Sequence, residues 1–162
     1  MVNNSSAAPG AKEAQAIMFK IVSFAECSRD RFIVIAAFQN GLSSSDLSAL
    51  KIGDYPLEPW MGFETASGRV GKYRYGVSTP ECCACLVAYL EERCGGQNGE
   101  PLLVGKNGPF SAKDVNRVLK VVLHRAGLDK IRGFTAKCLG KGLEATLNYA
   151  ENYSRVMDIL LK

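Results

Sequence analysis

The chain has 162 residues, 47% hydrophobic and 22% charged, and carries a formal net charge of +4. That is the size and composition of one globular domain with a single core, and the mild positive excess permits nucleic acid as a partner without requiring it. No apolar run reaches the roughly 18 residues that span a bilayer, and Met1 to Gly10 has no basic stretch leading into an apolar one, so no membrane partner or secretory signal is expected.

Met1 to Gly10 is rich in Asn, Ser, Ala and Pro and is expected to be a disordered tail, with one folded unit from 11 to 162. Ala11 to Cys27 has helical spacing: Ile17, Ile21 and Phe24 share a face, with Met18 and Val22 beside it. A second helix follows, with Ser28 as its expected cap and Asp30 in its first turn. Phe32, Ile33, Ile35, Ala36, Ala37 and Phe38 leave this helix almost no polar face, which predicts a central place in the core. Gly41 suits the left-handed residue that ends it. Ser44 or Ser45 is the expected cap of a short third helix that buries Leu47 and Leu50, with Asp46 near its positive end.

From Tyr55 the texture changes. Pro56 and Pro59 interrupt helix, and Trp60 to Thr65 reads as a strand. Ala66-Ser67-Gly68 reads as a turn and Arg69 to Ser78 as a second strand, giving a twisted hairpin with room for a third strand. Thr79-Pro80-Glu81 is a helix start, and the helix runs to about Arg93 with Cys82, Leu86, Tyr89 and Leu90 among its buried positions. Pro101 to Val104 is a short apolar segment, and Gly105 to Pro109 a turn. Ser111 with Asp114 forms a capping box for a helix to about Arg125, whose stripe is Val115, Val118, Leu119, Val122 and Leu123. A helix is expected from Thr135 to about Asn148 and a last one from Ser154 to Leu161.

Taken together, the apolar helix, then Gly41-Leu42-Ser43-Ser44-Ser45-Asp46-Leu47, Leu50-Lys51 and Asp54, resembles the first box of the tyrosine recombinase (phage integrase) family. Gly68 to Glu81 resembles that family's hairpin leading into a helix, Glu100-Pro101-Leu102-Leu103 its Pro-Leu-Phe segment, and Phe110 to Leu128 the helix that ends in Ala-Gly. The resemblance spans roughly Arg31 to Lys162. It implies an α+β fold: a mainly helical single domain with a small antiparallel β-sheet, as in the catalytic domain of that family.

The same resemblance implies missing chemistry. Ser43 stands where the family carries its first catalytic arginine, and Gly133 and Ala136 stand where it carries a histidine and a second arginine. Val156 to Lys162 resembles the helix before the Gly-His box, so the box and the nucleophilic tyrosine would lie beyond Lys162, and Tyr149 and Tyr153 lie too early to serve. Cleavage needs donors on the phosphorane and proton transfer to the bridging oxygens, and loss of one positioned donor already costs on the order of a hundredfold. No strand cleavage is therefore expected.

Basic residues fall in two groups: Arg69, Lys72 and Arg74 on the hairpin, and Lys130, Arg132, Lys137 and Lys141 further on, of which Arg132, Lys137 and Lys141 are the candidate DNA contacts. In the resembled family such surfaces face DNA, and phosphate contacts position a protein without reading sequence. The alternative is an ordinary solvated face. Double-stranded DNA, a recombinase or another protein are the partners the resemblance implies, in an intracellular, cytoplasmic or DNA-associated setting. A protein-interaction module without DNA contact and a truncated integrase fragment remain the competing expectations.

Other chemistry is poorly supplied. Cys82 and Cys85 form a CxxC, but on a helix and without a second pair, and His124 is the only histidine, so small buried thiols are expected rather than a metal or redox site. Gly99 to Lys106 lacks the spacing of a phosphate-binding loop and Gly68 to Gly71 lacks the context of a dinucleotide fingerprint, so no cofactor is expected.

Overall fold

The structure is a computed structural model that describes residues 11–66, 73–131 and 150–161. The expected helix over Thr135 to Asn148 and the tail Met1 to Gly10 lie outside the described residues.

Helix α2 (Ser28–Asn40) is the centre of the core, with every side chain from Phe32 to Phe38 buried. Helix α1 (Ala11–Val22) packs on it through Ile17, Met18 and Ile21. This first helix is shorter than its spacing predicts, because Phe24 and Ala25 turn back to bond the carbonyls of Ile21 and Val22 in a tighter turn. Ser28 does not cap α2. Cys27 holds that position with no side-chain bond, and the Ser28 hydroxyl donates instead to Glu92 Oε1 at 2.8 Å. At the other end Gly41 ends the helix in the left-handed region at φ 63°, as expected.

Helix α4 (Pro80–Glu92) runs antiparallel to α2, since Glu92 meets Ser28 while Gln39 accepts from the Thr79 hydroxyl and donates to Glu81 Oε2 at 3.5 Å. Thr79 caps it and Pro80 opens it. The buried hydroxyl of Tyr89 is satisfied on both sides: it donates to Leu102 O at 3.0 Å and accepts from Val104 N–H at 3.1 Å. That anchors the apolar Leu102 and Leu103, both 2% exposed, beneath α4.

Strands β1 (Gly62–Ala66) and β2 (Tyr73–Val77) pair antiparallel, with Phe63 opposite Gly76 and Glu64 opposite Tyr75. Among the described residues this sheet has two strands, so the third strand is not seen there. Trp60 is not in the strand as expected; its φ of 63° lies in the left-handed region and breaks the extended run before Gly62. Phe63 points inward, where its ring lies 4.6 Å from that of Tyr55, which in turn meets Phe32 edge-on at 5.4 Å. This aromatic chain fixes the sheet to α2.

A second small hairpin, β3 (Val104–Gly105) with β4 (Gly108–Pro109), leads into α5 (Ala112–Arg125). The expected capping box is present: Ser111 Oγ accepts from Asp114 N–H at 3.3 Å, and Asp114 Oδ2 accepts from Ser111 N–H at 2.9 Å. Val115, Leu119, Val122 and Leu123 are buried, and Val118 partly so. Helix α6 (Ala150–Leu160) begins four residues before its expected start and buries Val156 and Leu160.

Candidate nucleic-acid interface

Helix α3 (Ser44–Ala49) is one and a half turns long and depends on its cap. Its cap is Ser43, not Ser44 or Ser45. Ser43 Oγ accepts from Asp46 N–H at 3.1 Å while Asp46 Oδ2 accepts from Ser43 N–H at 2.9 Å, a reciprocal capping box. Asp46 is 2% exposed, so this exchange takes place in a dry setting. The neighbouring Ser44 hydroxyl donates to Asn116 Oδ1 and ties α3 to α5. Position 43 thus holds a short, uncharged side chain engaged with its own helix.

The β1–β2 hairpin presents the opposite case, with large side chains exposed. Phe63 and Thr65 of β1 are buried, whereas Tyr75 and Val77 of β2 are 74% and 51% exposed. The lead-in adds Leu57, Trp60 and Met61, with Trp60 72% exposed. One buried residue holds this lead-in. Ser78 accepts at its carbonyl from Trp60 N–H at 2.8 Å, donates its own N–H to Met61 O at 2.9 Å, accepts at Oγ from Met61 N–H at 3.0 Å and donates from Oγ to Glu58 O at 2.6 Å. On the other side Asn40 Nδ2 donates to Val77 O at 2.9 Å, and Tyr55 donates to Asn40 Oδ1 at 2.8 Å. The hairpin base is therefore bonded to α2 and to the Glu58–Met61 segment at once.

Of the basic residues expected at DNA, Arg74 falls in β2, opposite Thr65. Arg69, Lys72, Arg132, Lys137 and Lys141 lie outside the described residues, as do Gly133 and Ala136. A basic cleft that the sequence did not announce lies between the start of α2, the β3–β4 hairpin and the first turns of α5. It encloses about 390 Å³ and is lined by Arg29, Lys106 and Arg117 together with Asn107, Phe110 and Asp114. Arg29 is already engaged: its guanidinium lies 4.5 Å over the Phe110 ring, Nε meets Asp30 at 2.8 Å and Nη1 donates to Val104 O at 3.2 Å. Arg117 lies 3.8 Å from Asp114.

Four of the cysteines are quiet. Burial pushes the thiols of Cys82, Cys83, Cys85 and Cys27 above the ordinary cysteine value, so little thiolate exists near neutral pH. Cys138 lies outside the described residues. Among the described residues no group of three or more His, Cys, Asp and Glu is placed to hold a metal, and no helix is long and apolar enough to cross a membrane. His124 sits at the exposed end of α5, where its Nδ1 lies 2.8 Å from Asp129 Oδ2. That hydrogen bond is the main reason the Asp129 carboxyl is held below its ordinary value.

No protein-family model matches the chain, and no curated protein matches it. Among solved structures the fold is similar to the crystal structure of XerA recombinase, with a TM-score of 0.64 at 20% sequence identity. The match covers 91% of this chain and 57% of that one, so the chain spans a little over half the length of that structure. The architecture, mainly helical with small antiparallel sheets, is the expected tyrosine recombinase catalytic-domain-like fold.

Proposed function

We propose that this chain is a catalytically inactive recombinase-like domain that binds double-stranded DNA, or a recombination partner, without cutting the strand. The observation that carries the reading is the capping box at Ser43. A cleavage site needs a guanidinium at that point to neutralise charge on the phosphate, and a neutral hydroxyl committed to Asp46 N–H supplies none. The sequence at Gly133 and Ala136 supports the same reading, since neither residue carries a proton donor in its side chain. Backbone binding would fall to Arg69, Lys72 and Arg74 on the hairpin and to Arg132, Lys137 and Lys141.

The test is a suicide duplex whose nick prevents religation, incubated with the protein and run on a denaturing gel. The expected result is bound but not covalently attached DNA. A covalent protein–DNA band would end the reading. A second reading, a protein-interaction module that no longer binds DNA, is favoured by the exposed apolar side chains of the hairpin and its lead-in. It predicts no binding to duplex DNA even at low salt.

A further inference from the structure

The basic cleft draws its cations from three separate elements. Arg29 comes from the first turn of α2, Lys106 from the turn of the β3–β4 hairpin and Arg117 from the second turn of α5. Like charges brought together by a fold repel unless something offsets them. The lining holds one carboxylate, Asp114, and the cap engages it: Oδ2 accepts from Ser111 N–H at 2.9 Å and from Ser111 Oγ at 3.0 Å. Asp30 meets Arg29 at Nε but does not line the cleft. Three cations against one carboxylate favour an anion in the space between them.

Arg29 is also braced. Its guanidinium lies over the Phe110 ring, and that ring sits against Gly105, where a Cβ would lie 2.5 Å from Phe110 Cε1. Bonds from Nε to Asp30 and from Nη1 to Val104 O fix two further points, and neither uses Nη2. A guanidinium held this way loses little freedom when it binds, and its planar fork matches the oxygens of a phosphate. Lys106 and Arg117 are exposed and add mobile cations to this fixed one.

Size and charge select the anion. About 390 Å³ is near the low end of small-ligand pockets and does not admit a duplex. A phosphate monoester brings three acceptor oxygens and between one and two negative charges at neutral pH. A backbone phosphodiester brings a single charge and is flanked by chain on both sides, which keeps it out of a concavity. We propose that this cleft is an oxyanion site for a phosphate monoester, met as free phosphate or as the terminal phosphate of a nucleotide strand. The proposal stands apart from the DNA-binding reading above, whose contacts lie elsewhere in the chain.

The experiment is calorimetric titration of the full chain, near neutral pH and at one fixed salt concentration. The titrants are inorganic phosphate, a 5′-phosphorylated oligothymidylate and the same strand without its phosphate. Saturable binding of inorganic phosphate with no difference between the strands assigns the cleft to free phosphate. Tighter binding of the phosphorylated strand assigns it to a strand end. In either case Lys106→Gln and Arg117→Gln, both at exposed positions, should each weaken that binding by roughly 5- to 20-fold. Gly105→Ala removes no charge but displaces the Phe110 ring under Arg29, and should weaken it as well. Loss in the two charge variants with full binding in Gly105→Ala would overturn the braced site and leave only a diffuse positive field. No binding of inorganic phosphate together with equal binding of the two strands would overturn the proposal, while strand binding itself would leave the DNA-binding reading standing.

Discussion

Ser43 holds the start of a short helix. Its hydroxyl and backbone close the first turn of α3, and α3 has only six residues, so the cap is a large share of what holds it. Ser43→Ala should cost about 1 kcal/mol in urea denaturation, within the roughly 0.5–2 kcal/mol typical of lost caps, and Ser43→Asp should restore most of it. Ser43→Arg should lose the cap in the same way and gain no strand cleavage, because a single guanidinium does not replace the remaining groups that the chemistry needs. A Ser43→Arg protein that cut DNA would show the rest of the machinery to be present.

Cys82 and Tyr55 are buried side by side. Burial raises both above their ordinary values of 9.0 and 10.0, and each lies close enough to the other to add to the shift of Tyr55. The unfolded chain therefore loses these protons at lower pH than the folded one. Their stabilising contribution is complete below about pH 9 and is lost as pH rises beyond it. The urea midpoint should be flat from neutral pH to about 9 and then fall, and Cys82→Ala should soften that fall. A midpoint that rises into the alkaline range would contradict the burial of these groups.

Among elements, the β1–β2 hairpin makes its aromatic contact with the core through the Phe63 ring. Phe63 lies between Tyr55 and Gly76, and a Cβ at Gly76 would sit 2.6 Å from Phe63 Cζ and 2.9 Å from Cε1. Gly76→Ala should force the ring aside and cost about 1–3 kcal/mol, read as a lower urea midpoint with an unchanged slope. An unaltered midpoint would mean the ring can move freely. The elements also show what was legible. The α2 core run and the Ser111–Asp114 box follow directly from residue spacing, since period and cap are local properties. The cap of α3 was misplaced because three consecutive serines are each eligible; only the three-residue spacing from Ser43 to Asp46 selects among them. Trp60 was read into the strand because propensity carries no sign of a left-handed backbone set by contacts from Ser78, eighteen residues on. Ser28 likewise answers to Glu92, a partner that no local pattern reveals.

For the whole molecule, order and spacing of weak motifs were enough to indicate the fold, which the likeness to XerA recombinase bears out at 20% identity. The basic cleft beside Arg29 was not legible, because its walls come from α2, the β3–β4 hairpin and α5, which are distant in sequence. The most direct test is fluorescence anisotropy of a labelled duplex against the full chain over a salt series, repeated with Arg69, Lys72 and Arg74 reversed to Glu. The expected result is binding whose logarithm falls linearly with the logarithm of salt, with a slope shallower by about 3 in the triple variant, near 0.9 per lost phosphate contact. No binding at the lowest salt would contradict it and leave the protein-interaction reading in its place.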